Sequence, residues 1–157
     1  MASGSGWAAP HTRPVIAQLA RDADSAPHLF RWTRSSEEDS VREWVNSQRQ
    51  SVPPDLLDLW IETGGGELFE TEDLLCPAST DLYDLVAVNE GRWKQGLPHD
   101  RLVFHVGIFL TAIDPGGRLL QLDADSETEI GAFSSMDAWY LDLRATYGEK
   151  YGLSLLP

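Results

Sequence analysis

Residues 108–113 and 118–122 are two apolar runs separated by only Asp114-Pro115-Gly116-Gly117. Four residues cannot carry a parallel crossover, which needs a dozen or more, so the two runs must pair antiparallel. Pro115 pre-sets φ at the second turn position, and the glycine after it permits a positive φ. A third apolar run, 102–106, precedes the pair closely enough to extend it into a meander. The rest of the chain has to supply whatever covers that sheet. With 157 residues it has the length of one domain, and six Trp with 10% aromatic residues give it the large side chains that disordered chains lack.

Helical signals lie on both sides of the meander. Val15, Ile16, Leu19 and Ala23 predict a short helix, followed by a linker at Ala26-Pro27. Ser35 with Glu38 forms a capping-box pattern ahead of the apolar stripe Val41, Trp44 and Val45, which predicts a helix over 36–49. Pro53-Pro54-Asp55 opens a third helix, with proline tolerated in the first turn and an acid favoured at the positive end of the dipole. Leu56, Leu59, Trp60 and Thr63 face inward, and Gly64-Gly65-Gly66 ends it. Residues 67–70 and 73–76 are expected as short strands. A helix is predicted over 79–94 with Leu82, Leu85, Val86, Asn89 and Trp93 on its inner side. A last one is predicted over 135–147, with Met136, Trp139, Tyr140 and Leu143 inward and Gly148 as its stop. The layout is α+β: an antiparallel sheet of about five to six strands packed with N-terminal helices and a C-terminal helix. Residues 1–34 are expected as an extension, with a frayed tip and a short helix, and 35–157 as the domain.

The charge is distributed unevenly. Residues 1–52 net zero, so the whole −13 falls in 53–157, and between Arg49 and Arg92 there is no basic residue at all. A field of one sign keeps a protein soluble, and it also steers a basic macromolecule into contact. The residues expected to form such a surface are Glu62, Glu67, Glu70, Glu72, Asp73, Asp81, Asp84 and Glu90, joined by Asp123 and Asp125. Tyr83 and Trp93 lie among them as candidate aromatic anchors. The same charge disfavours nucleic-acid and anionic-membrane partners. The longest apolar run, 102–113, is too short to span a bilayer. The first residues show no charged segment followed by an apolar one, so no export signal is expected, and a lone Cys76 suits a reducing cytoplasm.

No catalytic or cofactor constellation emerges. Asp123, Asp125, Glu127 and Glu129 alternate as in a calcium loop, but Thr128 and Ser134 stand where such a loop needs glycine and a bidentate glutamate. His99 and His105 have no third metal ligand nearby, and His105 within an apolar strand fits a hydrogen-bonded core histidine. The triple glycine lacks the Lys-Ser/Thr of a phosphate loop, and Gly4, Gly6 and Ala9 have no strand before them to make a dinucleotide fingerprint. The expectation is a protein that binds without catalysing and without a cofactor.

Residues 52–69, Val-Pro-Pro-Asp-Leu-Leu-Asp-Leu-Trp-Ile-Glu-Thr-Gly-Gly-Gly-Glu-Leu-Phe, resemble the signature of the SUKH superfamily, which includes the Smi/Knr-type domains: an apolar residue and proline, a helix, then Gly-Gly-x-x-Phe. Trp44, Leu97-Pro98 before residues 102–104, Gly107, the hairpin over 114–123 and a closing helix introduced by Phe133-Ser134-Ser135 with Trp139 follow that family's order of elements. The likeness covers residues 36–147. Thr63 departs from it, where many members carry Asn, and the segment before residue 35 has no counterpart. The resemblance implies an immunity protein that binds and neutralises a cognate polymorphic toxin, many such toxins being nucleases. A non-catalytic regulatory scaffold of the same fold is the alternative.

Overall fold

The computed structural model describes residues 14–34, 37–79 and 81–151, so Ser35 of the capping box and the glycines at 4 and 6 lie outside the described residues. It is an α+β fold. Five helices, α1 (Pro14–Ser25), α2 (Glu38–Asn46), α3 (Pro54–Thr63), α4 (Leu85–Lys94) and α5 (Met136–Tyr151), accompany a seven-stranded sheet. The strands are β1 (Phe30–Trp32), β2 (Gly66–Leu68), β3 (Glu72–Leu74), β4 (Leu102–Val106), β5 (Phe109–Ile113), β6 (Leu119–Asp123) and β7 (Glu129–Phe133). Their spatial order is their chain order, and every neighbouring pair is antiparallel. No helix among the described residues is long and apolar enough to cross a membrane.

The meander forms as expected, and β5 pairs with β6 over five residues. The Asp114 carbonyl accepts from Gly117 N–H and its carboxylate from Arg118 N–H. The left-handed residue is Gly117 (φ 86°), one position later than the turn rule suggests. A Cβ there would come within 2.6 Å of the Ser51 carbonyl oxygen, so close backbone approach reinforces the need for glycine. Helix α3 also matches its prediction, with Leu56, Leu59, Trp60 and Thr63 buried and Gly64 (φ 71°) as a left-handed cap.

Other boundaries shift for physical reasons. The sheet has seven strands because β1 and β7 also join it. A three-residue strand shows no alternation, and β7 is largely exposed and contains Gly131 and Ala132, so neither carried a strand signal. Residues 79–94 are not one helix. A 3₁₀ turn (Asp81–Tyr83) comes first, then Asp84 caps α4 by accepting from the Val86 and Ala87 N–H groups, and Leu82, expected inside, is 74% exposed. Helix α2 begins at Glu38 and ends at Asn46, inside its expected limits. Helix α5 runs through Gly148 to Tyr151, with Tyr147 buried and stacked on Phe69 at 5.0 Å. Residues 14–34 are part of the same core: Val15, Ile16, Leu19, Ala20 and Ala23 are buried in it, and β1 is hydrogen-bonded to β2.

Candidate functional site

Strands β2 and β3 alternate, so neighbouring residues point to opposite faces of the sheet. Gly66, Leu68, Glu72 and Leu74 are buried, and Glu67 and Asp73 point the other way. The register sets Glu67 directly opposite Asp73, with Arg31 of β1 on the far side of Glu67. Like charges facing each other across strands are destabilising. Arg31 reaches Glu67 only at 3.9 Å and is itself 82% exposed, so it compensates the pair weakly. Burial, then repulsion from Glu67 and Glu72, lifts the Asp73 carboxyl to about 6. The half-buried Tyr83 belongs to the same group: burial raises its hydroxyl pKa, and Glu67 and Asp73 raise it further against Arg31. The fold thus brings together Glu67, Asp73 and Tyr83.

Glu72 was expected on that surface and is not there. It is 1% exposed on the inner face and cannot meet a partner. One carboxylate oxygen accepts from His105 Nε2 at 2.7 Å, and the other accepts from Tyr147 at 2.5 Å and from the Ile108 N–H at 3.2 Å. His105 Nδ1 lies 2.9 Å from Thr111 Oγ1. Burial raises the Glu72 pKa, but the hydrogen bonds from His105, Tyr147 and the Ile108 N–H together hold it below the usual value. Burial lowers His105 despite its bond to Glu72. A neutral ring donating through Nε2 and accepting from the Thr111 hydroxyl satisfies every member. Gly107 is required here, because a Cβ would fall 1.8 Å from Glu72 Oε1. A histidine between a carboxylate and a hydroxyl has the members of a nucleophilic triad, but His105 and Thr111 are fully buried and all four side chains are committed to one another. His105 is therefore the hydrogen-bonded core histidine that its strand context suggested.

In an antiparallel meander alternate turns share one end of the sheet. The β2–β3 turn with Glu70, the β4–β5 turn with the exposed Ile108 and the β6–β7 turn with Asp123 and Asp125 form that rim. Strand spacing separates β3 from β6 by about 14 Å. Glu70 (φ 68°) is exposed. Asp123 organises its turn by accepting from the Ser126 and Asp125 N–H groups and the Ser126 hydroxyl, and those bonds lower its pKa. Asp125 is exposed, and Glu127 is paired with Arg92 at 2.8 Å.

The remaining candidates are dispersed. Glu62 is half-buried in the last turn of α3, with its carbonyl accepting from Arg34. Asp84 is the α4 cap, Glu90 is exposed on that helix, and the side chain of Asp81 lies outside the described residues. Trp93 packs on the core and donates its indole N–H to the Arg101 carbonyl at 2.9 Å, so it stabilises α4 and is no free anchor. Sequence reasoning passed over Arg31 because β1 was not foreseen. Among the described residues no group of three His, Cys, Asp or Glu is placed to hold a metal ion. A cleft of about 630 Å³ lies away from these residues at the opposite end of the sheet, between the starts of α3 and α5 and the 114–117 hairpin. No family model matches the chain, and a search of curated proteins returns no match.

Asp73 offers a direct test of this electrostatic arrangement. Its folded pKa of about 6 lies above the ordinary aspartate value of 3.8, so between those pH values the folded state binds more protons. Stability from this residue is therefore present at low pH and lost as pH rises through 6. Asp73→Asn is expected to raise Tm at pH 7.5 and to leave it unchanged near pH 4, read as the difference from wild type. The difference matters because Glu72 and His105, both lowered, act in the opposite direction on acidification. A gain equal at both pH values would show that Asp73 does not carry that repulsion.

Proposed function

We propose that the chain is an immunity protein of the SUKH type, acting in the cytoplasm by binding a toxin protein through an acidic surface, without catalysis and without a cofactor. The observation that carries this reading is the Glu67–Asp73 pair. Two outward carboxylates face each other, and burial together with repulsion from Glu67 and Glu72 lifts the Asp73 carboxyl to about 6, with the exposed Arg31 offsetting the charge of the pair weakly. A Lys or Arg brought by a partner relieves that repulsion, and Tyr83 beside it offers an aromatic surface. Glu70, Asp123 and Asp125 on the rim, with Ile108 between them, and Glu90 on α4 extend the negative potential. A nuclease toxin supplies the complement, since it must present basic residues to hold phosphates. The resemblance over residues 52–69 supports the family, and its Gly-Gly-x-x-Phe segment has a structural purpose here: positive φ at Gly65 and Gly66, where a Cβ on Gly66 would fall 1.9 Å from the Arg31 carbonyl oxygen, and a buried Phe69.

Capture from the source cell at low salt, followed by identification of the bound protein, is expected to return a toxin with a basic surface. With that partner in hand, Glu67→Lys combined with Glu70→Lys is expected to slow association more than it speeds dissociation. Steering between surface charges is screened by salt, so the wild-type association rate should fall between about 50 and 500 mM salt. A rate that is flat over that range, or a reversal felt only in dissociation, overturns the electrostatic reading. A captured partner that is not a toxin favours the regulatory scaffold instead.

A further inference from the structure

The sheet ends at β1 and at β7, and its two edges differ. Strand β1 has three residues with the exposed Arg31 at its centre, and a short, charged edge discourages another chain from pairing there. Strand β7 has five, Glu129-Ile130-Gly131-Ala132-Phe133, and among the described residues it pairs with β6 alone. A strand paired on one side presents a row of N–H and C=O groups on the other, and β7 has no lysine or proline to guard that row. Ile130 is 57% exposed, and Ala132 is exposed as well. The register shift at Gln121/Leu122 leaves Ile130 as the extra residue of a bulge, and alternation from there puts it on the same face as Ala132, two positions on.

Charge decides what fits this edge. The chain carries −13, so two copies approach each other most readily where charge is balanced. The acids of β7 and its turn are matched: Glu129 lies 3.6 Å from Arg101 and 4.0 Å from Arg118, and Glu127 lies 2.8 Å from Arg92. A basic partner therefore gains little here, and a copy of the same acidic chain is not repelled. In an antiparallel pairing about a two-fold axis at Gly131, each Ile130 stands opposite Ala132 of the second copy, and glycine meets glycine at the centre. The two Glu129 residues then fall at opposite ends, four residue steps or about 13 Å apart, beyond the ~8 Å screening length at physiological salt. Helix α5 leaves the end of β7 and crosses to β3, where Tyr147 meets Glu72, so it runs away from the edge. We infer that β7 pairs with β7 of a second copy, giving a symmetric dimer with one sheet continuous through both. So short a strand buries less than the ~1,000 Å² of a stable interface, so the dimer is weak, with a dissociation constant on the order of 100 μM. The Glu67–Asp73 pair is four strands away, about 19 Å, and stays uncovered in both copies. The inference does not rest on the toxin reading.

The test is sedimentation equilibrium of the full chain at pH 7.5 and physiological salt, from about 5 μM to about 1 mM, a span that brackets that constant. A shift from monomer to dimer and no further is expected, with amide hydrogen exchange at residues 129–133 slowed only at the high concentration. Ile130 and Ala132 are both exposed, so Ile130→Lys and Ala132→Glu should each leave the fold intact. Each substitution alters two symmetric contacts at once, and each is expected to weaken dimerisation about tenfold. Mixing the two variants should restore pairing as a heterodimer, because the new charges are opposite and stand directly across from each other. A purely structural role for these side chains would give no such rescue. A monomer at about 1 mM, assembly beyond two copies, a dimer indifferent to both substitutions, or no recovery on mixing would each overturn the inference. Protection of residues 129–133 already at about 5 μM would also overturn it, by assigning the edge to another segment of the same chain.

Discussion

Trp60→Ala is expected to lower the unfolding free energy by about 3–5 kcal/mol, the range for truncating a buried large aromatic. Trp60 has no exposed surface, and Trp44 of α2 meets its ring edge-on at 6.2 Å. Its indole N–H donates to the Leu75 carbonyl at 2.7 Å, tying α3 to the chain that leaves β3. Truncation therefore creates a cavity and also leaves a buried carbonyl without its donor, a loss of about 1–3 kcal/mol in its own right. Against a total of about 5–15 kcal/mol for a domain, this is a large fraction. Trp60→Phe separates the two effects, since it keeps most of the packing and loses the bond, and it should fall between wild type and Trp60→Ala. Urea unfolding of the three proteins is the measurement. A change under about 1 kcal/mol for Trp60→Ala would mean that helix α3 does not present this face to the core.

The phase of α3 was legible because it has a strong period, a proline start and a glycine stop, all local signals. The meander was legible for a similar reason, since a four-residue connection leaves only one way to pair its flanks. The candidate surface was less so. Glu67, Glu70, Glu72 and Asp73 form one acidic tract by composition, but a strand sends adjacent residues to opposite faces, and a shift of one residue decides which carboxylate is buried. The left-handed residues Phe69 and Glu70 set that shift, and a phenylalanine and a glutamate at positive φ carry no sequence signature. Glu72 then finds its partners at residues 105, 108 and 147, up to 75 positions away. Charge counting sees none of that distance. Leu82 failed for the opposite reason: it fits a helical stripe, but Asp84 caps a helix starting after it, and the local hydrogen bonds prevail over the pattern.

Arg144→Met is expected to destabilise the fold by about 3–5 kcal/mol, as large an effect as losing Trp60, because it strands a buried carboxylate. Asp22 of α1 is 1% exposed, and Arg144 of α5 grips it at 2.8 and 3.1 Å. The Tyr140 hydroxyl and the Gln18 amide complete the shell around Asp22. Helix α1 precedes the part of the chain that carries the family resemblance, yet this ion pair locks it to the last helix across 122 positions. Asp22→Asn removes the charge while keeping an acceptor for Tyr140, and the long Arg144 side chain can move its head toward water more readily than a short aspartate can. That variant should therefore be milder than Arg144→Met. With both charges absent no unpaired ion remains, so the double variant should recover much of the loss, with a coupling energy of at least about 1 kcal/mol between sites in direct contact. Additive losses in the cycle would mean that the two residues are not paired in solution, and α1 would then be held to the core by its apolar stripe alone.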